Sequence, residues 1–192
     1  MRLFVAIELD DEARAAIDRE CQRLMSAMGA AARELRWVRA DHLHLTLLFL
    51  GAVDESGAAA FIAELSRDFE QPAYALTLGG IGIFPPRGAP RTLWVGVPGG
   101  GEETIALQRE VAGRLPESIR PRLERNARAF TPHLTLARWR DGHASRRWLS
   151  AQPGSPLAVV RVEGVTLFES RLSAGGPTYT ALARPRLTCP RA

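Results

Sequence analysis

Leu43-His44-Leu45-Thr46-Leu47 and Pro132-His133-Leu134-Thr135-Leu136 carry the same tetrapeptide, His-Leu-Thr-Leu, 89 residues apart. On an extended strand successive side chains face opposite ways. Each His therefore shares a face with the Thr two residues on, about 6.6 Å away, while the leucines point into a core. Two of the chain's four histidines stand in identical settings. A single copy would read as a structural histidine on an apolar strand; the repetition makes a pair.

Around the first copy, Leu3 to Leu9 reads as a strand, and Asp10-Asp11-Glu12 supplies the cap and first-turn acids of a helix whose apolar face is Ile17, Cys21, Leu24, Met25 and Met28. A short strand over Leu35 to Val38 precedes the motif strand, Leu43 to Phe49. A helix over Asp54 to Phe69 and a strand over Tyr74 to Phe84 follow, the latter stopped by Pro85-Pro86. Around the second copy the order recurs: strand Thr92 to Val97, a Gly99-Gly100-Gly101 break, helix Glu102 to Leu115, an Arg-rich loop, strand His133 to Ala137 and closing strand Val160 to Phe168. The closing segments match residue by residue, Leu76 to Phe84 against Val160 to Phe168, with a central Gly and a final Phe in common.

This pattern predicts an α+β fold, internally duplicated, with two pseudo-symmetric lobes of antiparallel or mixed sheet and outer helices around a central cleft. One bilobal domain should span 1–184, with a last strand over Thr178 to Ala183. Residues 185–192, with Pro185 and Pro190, read as a loose tail.

All 25 basic residues are arginine, giving a net charge of +4 over 192 residues. With no lysine there is no P-loop lysine, lysyl-adenylate, Schiff base or lysine general base, so ATP-driven ligation by the usual routes is not expected. Cys21 and Cys189 lack metal-site spacing and read as reduced thiols of a cytoplasmic protein. The N-terminus is broken by Glu8 and followed by acids, unlike a signal peptide, and no apolar run approaches a membrane span. A monomer without membrane association is expected. Between Arg120 and Arg147 eight arginines face only Glu124 and Asp141, a local positive field suited to a phosphate-bearing partner.

If the lobes meet about a pseudo-two-fold axis, the two His-Thr faces can line one cleft from opposite sides. Two imidazoles flanking one phosphorus can take a proton from the attacking oxygen and deliver one to the leaving oxygen. An ordinary His pKa of about 6.5 lets one be neutral and the other charged near neutral pH. The Thr46 and Thr135 hydroxyls can bind non-bridging oxygens, and no cofactor or metal is required. Arg138, directly after the second motif, is a candidate phosphate clamp. The residues themselves leave open which histidine is acid and which is base.

With these motifs, the sequence resembles the 2H phosphoesterase superfamily and, within it, the RNA 2′,3′-cyclic phosphodiesterases, also called 2′-5′ RNA ligases. The likeness extends to Arg2-Leu3-Phe4-Val5-Ala6-Ile7, Trp37-Val38, Phe49-Leu50-Gly51, Phe84-Pro85, Ala137-Arg138 and Gly176-Pro177 with Tyr179. The resemblance implies that His44 protonates the departing 3′ oxygen, that His133 activates water, and that Thr46 and Thr135 hold phosphate. It implies an RNA or nucleotide substrate with a 2′,3′-cyclic phosphate end, opened to a 2′-phosphate, and reversible joining of such an end to a 5′-hydroxyl.

Three rival readings use the same residues. His42 and His44 share strand parity and suggest a metal site, but no carboxylate or Cys lies at ligand spacing near either motif. A module that binds RNA ends without turnover would need arginines and hydroxyls but not two His-Thr pairs. A phosphodiesterase acting on a small cyclic-phosphate nucleotide metabolite would need the same set. His42 and His143 read as surface residues. Trp37, Phe49, Phe130 and Tyr179 read as core aromatics that could alternatively stack a base.

Overall fold

The computed structural model describes residues 1–120, 129–140, 156–173 and 176–188. Most of the basic run, His143, Cys189 and the end of the expected tail lie outside them. The chain forms β1 (Arg2–Glu8), α1 (Asp11–Met28), β2 (Leu35–Trp37), β3 (His44–Ala52), α2 (Glu55–Leu65), β4 (Phe69–Pro72), β5 (Tyr74–Phe84), β6 (Thr92–Gly99), α3 (Gly101–Gly113), β7 (Leu134–Trp139), β8 (Pro156–Val162), β9 (Thr166–Ser173), β10 (Gly176–Ala183) and β11 (Leu187–Thr188). Two antiparallel sheets result, β10-β9-β1-β3 and β2-β7-β6-β5-β8, with a small parallel pair β11-β4 beside them. This is the expected α+β class.

The acids at the helix starts act as expected. Asp10 caps α1 by accepting from the Ala13 amide at 2.7 Å, and Asp54 caps α2 by accepting from the Gly57 amide at 2.7 Å. The strand β1 is buried on both faces: Leu3, Val5 and Ile7 enter the main core, while Phe4 and Ala6 form a second cluster with Phe168 and Tyr179. That second cluster floors the His44 side of the cleft.

The two lobes do not coincide with the two halves of the sequence. The strand closing the first half, β5, pairs with β6 of the second half, and β9 returns from the second half to pair with β1. The short strand β2 also crosses, pairing with β7. The helices reinforce the exchange, with α1 against β8 of one sheet and α3 against β3 of the other. A single core cluster therefore draws on both sheets.

Three boundaries differ from expectation. The segment Val160 to Phe168 is not one strand: β8 ends at Val162, β9 starts at Thr166, and the chain changes sheets between them. Gly164 makes that passage possible by bridging to Arg186, since a Cβ there would sit 2.5 Å from the Pro185 carbonyl oxygen. The second helix stops at Leu65, short of Phe69, because Phe69 is needed to open β4. Its partner is Leu187, so residues 185–188 are packed rather than loose: Leu187 is buried and its amide donates to the Glu163 carbonyl at 2.8 Å.

Candidate active site

The strands β3 and β7, which carry or directly follow the two histidines, lie in contact. On both, the leucines of the motif are buried while His44, Thr46, His133 and Thr135 are half-buried on the opposite face, as strand parity requires. His44 Nδ1 lies 2.7 Å from the His42 carbonyl oxygen, and His133 Nδ1 lies 2.7 Å from the Thr131 carbonyl oxygen. A carbonyl can only accept, so Nδ1 carries the hydrogen in both rings and Nε2 is left for a substrate. Among the described residues, neither threonine hydroxyl is committed to a protein partner.

Aromatic rings fix both imidazoles. Phe4 lies 5.0 Å from the His44 ring and Tyr179 meets it edge-on at 5.6 Å. Phe84 meets the His133 ring edge-on at 5.0 Å, with Trp94 at 6.3 Å. Burial among these rings pushes both imidazoles below their ordinary pKa, while the Nδ1 hydrogen bonds to carbonyls oppose the shift by favouring the charged forms. Arg138 pushes both further down, so its guanidinium acts on each histidine.

Two charged influences are unshared: His42 lowers His44 alone, and Glu8 raises it alone. Glu8 on β1 pairs in register with His44 and raises its pKa. The carboxylate is held by the Thr166 hydroxyl and by Arg184 at 3.2 Å. No carboxylate acts on His133 among the described residues.

The sequence did not show how Arg138 reaches the cleft. Simple alternation from Thr135 would put it on the opposite face. In the pairing of β7 with β6, Trp94 faces Thr135 and Leu93 faces Ala137, so Leu136 is an extra residue and the alternation shifts by one. The same bulge recurs in the first motif, where Val5 faces Leu48 and Ala6 faces Thr46, leaving Leu47 extra. The residue five places after each histidine is thus re-aimed: Arg138 in one motif, Phe49 in the other. Arg138 also donates to the Thr92 hydroxyl at 3.2 Å.

Each histidine opens into its own cavity. On the His44 side a space of about 320 Å³ is walled by Glu8, Arg14, His42, Tyr179 and Arg184 among others. On the His133 side a space of about 1260 Å³ is walled by Phe49, Phe84, Arg87, Arg91, Arg120 and Phe130 among others, with no carboxylate among the described residues of its wall.

His42 is not a bystander on the surface. Its ring lies 4.7 Å from that of Tyr179, and its carbonyl orients His44. Tyr179 is likewise a wall residue, its phenol pushed above the ordinary value by burial; the Tyr that follows Gly176-Pro177 was the available signal. Trp37 is a core residue whose indole donates to the Ala32 carbonyl. Cys21 is buried, and that burial, with Asp18 and Glu20, pushes its thiol to about 12, far from a nucleophile's range. Among the described residues no three of His, Cys, Asp and Glu cluster as metal ligands, and no helix is long and apolar enough to cross a membrane.

The model of the 2′-5′ RNA ligase superfamily matches residues 10–173. The chain is 32% identical over 187 residues to the RNA 2′,3′-cyclic phosphodiesterase of Archaeoglobus fulgidus, covering 95% of this chain and 98% of that one. It is also 32% identical over 187 residues to the Escherichia coli protein of the same name, covering 97% of each. Among solved structures, TT0787 of Thermus thermophilus superposes with a TM-score of 0.80 at 30% identity over 100% of both chains. E. coli LigT complexed with 3′-AMP superposes at 0.73 with 30% identity, over 97% of this chain and 98% of that one.

Proposed function

The chain belongs to the 2′-5′ RNA ligase superfamily, the 2H phosphoesterases, and from that premise we propose that His44 and His133 open the 2′,3′-cyclic phosphate of RNA ends by paired acid-base catalysis. RNA 2′,3′-cyclic phosphodiesterase is the activity its relatives' names carry. The observation that carries the mechanism is the matched presentation of both rings: each Nδ1 hydrogen is tied to a carbonyl, each Nε2 has no partner among the described residues, and one guanidinium acts on both.

Water enters on the His133 side and loses a proton to Nε2 as its oxygen bonds to phosphorus. The bond from phosphorus to the 3′ oxygen breaks, and that oxygen takes the proton held on His44 Nε2. The products are a 2′-phosphomonoester and a 3′-hydroxyl. Arg138, Thr46 and Thr135 bind the non-bridging oxygens as charge builds on them. Glu8 supports this division of labour because it favours the charged form of His44 alone, which suits an acid. With a 5′-hydroxyl in place of water, the same transfers in the same direction make a 2′-5′ phosphodiester, and run backwards they cleave it to a cyclic end.

The test is hydrolysis of a 2′,3′-cyclic mononucleotide by purified protein, with products separated by phosphorus NMR. A 2′-phosphate is expected, formed at an undiminished rate after exhaustive EDTA treatment because the imidazoles supply both proton transfers. A dominant 3′-phosphate would reverse the substrate's orientation between the histidines. Loss of activity on chelation, restored by one divalent ion, would replace the two-histidine mechanism with a metal-assisted one.

A further inference from the structure

Cross-strand register sets Phe84, Thr92, Arg138 and Arg36 in one row over β5, β6, β7 and β2. Residues directly opposite on neighbouring strands share a face. Leu35 and Trp37 settle which face of β2 is core, since both pack into the main cluster opposite Trp139 and Ala137. Arg36 therefore stands on the other face, beside Arg138, and both arginines are exposed.

Like charges directly opposite in a ladder destabilise it. Arg138 donates to the Thr92 hydroxyl, and among the described residues no carboxylate is paired with either guanidinium. Such a pair beside the reacting centre is offset by an anion that carries two charges. Neighbouring strands lie about 4.8 Å apart, and two long arginine side chains can spread from that spacing to adjacent phosphates of one nucleic-acid strand.

The place of Arg36 says which phosphate it meets. It lies on the far side of Arg138 from Thr92, which walls the large cavity beside His133, and it walls neither cavity itself. Its strand leads instead through residues 38–43 to His44, on the side from which the 3′ oxygen departs. That oxygen belongs to the ribose of the terminal nucleotide, so the remainder of the same strand leaves the centre on that side.

We propose that Arg36 binds the phosphodiester that joins the terminal nucleotide to the one before it, while Arg138 holds the cyclic phosphate. This rests on the reading of His44, His133 and Arg138 given above. The site then selects the end of a polynucleotide over a small cyclic-phosphate nucleotide, which offers Arg36 no second charge.

Two dinucleotides with the same terminal 2′,3′-cyclic phosphate separate charge from length, one joined by a phosphodiester and the other by an uncharged methylphosphonate. The ratio of kcat/KM on the two is measured for wild type, Arg36→Gln and Arg36→Lys. Wild type should favour the phosphodiester roughly ten- to 100-fold, the worth of a charge-assisted contact. Arg36→Gln should lose most of that preference, and Arg36→Lys, which keeps the charge but not the planar fork, should retain part of it. Added salt should shrink the wild-type ratio and leave that of Arg36→Gln nearly level. The melting temperature of Arg36→Gln should equal or exceed that of wild type, because a like-charged neighbour is removed.

Equal rates of wild type on the two dinucleotides would overturn the proposal, as would a preference that survives in Arg36→Gln. An Arg36→Gln loss shared equally by both dinucleotides would also overturn it, since Arg36 would then act only by placing Arg138. If wild type opens neither dinucleotide, calorimetric binding of their 2′-phosphate forms decides: charge discrimination through Arg36 keeps the subsite while the catalytic reading falls, and no discrimination removes the subsite as well.

Discussion

The surroundings of His44 and of His133 began as the same tetrapeptide and differ in almost everything that packs on them. His44 faces a small polar chamber with a carboxylate, Glu8, and a phenol, Tyr179, close by. His133 faces a large chamber of aromatic rings and arginines, and the charged group that acts on it is Arg138. Both rings keep the same tautomer through the same backbone bond. The lesson is that a duplicated motif fixes which atom of each imidazole is presented, while its neighbours decide how readily that atom is protonated.

The comparison breaks outright if only one histidine matters. His44→Ala and His133→Ala should each lower kcat by roughly 10²- to 10⁴-fold, with melting temperatures close to wild type because both rings are half-buried at a cleft. A near wild-type rate for either in a stopped assay on the cyclic mononucleotide would remove that residue from the mechanism.

Next in size is Arg138→Ala, which removes the one charged group that acts on both histidines among the described residues. Loss of a charged donor to the developing oxyanion should cost about 10²- to 10³-fold in kcat. The sign of the pH effect follows from the direction of its influence. Arg138 lowers both imidazoles, so its removal raises both, and both limbs of the bell-shaped profile should move to higher pH. Movement of a single limb would mean that Arg138 serves only one histidine.

Gly82→Ala strikes the His133 side alone. Gly82 pairs with Trp94 across β5 and β6, and a Cβ at Gly82 would lie 2.2 Å from the indole. The indole must move, and it helps to wall His133. A kcat loss of up to roughly 10²-fold is expected from misplacing the base, while the alkaline limb, set by His44, stays where it is.

The smallest effect sharpens the contrast most. Glu8→Gln takes away the influence that raises His44, leaving burial, His42 and Arg138 to lower it. Arg184, no longer paired, adds to that direction. The His44 pKa falls, the acid loses its proton earlier, and the alkaline limb moves to lower pH with the acid limb unchanged. Below that limb the rate should be close to wild type. A shift of the acid limb instead would exchange the roles of the two histidines.

Much of this was legible beforehand because alternation and capping are local. Leu45, Leu47, Leu134 and Leu136 had to be buried if His and Thr faced out, and Asp10 and Asp54 marked helix starts that the structure confirms within a residue. The strand Tyr74–Phe84 was readable end to end. What failed was local reading where a distant partner decides. Phe69 continued a helical pattern until Leu187 offered it a strand, and Val160 to Phe168 looked continuous because its central Gly164 marks a break only once Pro185 and Arg186 pack against it, with the two ends in different sheets.

The sequence by itself determined that this chain has two His-Thr pairs on two strands, that each leucine beside them is core, and that arginine supplies every positive side chain. Tertiary structure decided that the closing strands are exchanged between the sheets, that Leu47 and Leu136 are bulged so that Phe49 and Arg138 turn toward the cleft, and that Glu8 stands beside only one histidine. The physical reason is that side-chain parity is a property of one strand, whereas register belongs to a pair. A residue's face can be counted from its own neighbours until a bulge, fixed by the opposing strand, shifts the count, and an imidazole's charge is set by groups that only pairing brings near.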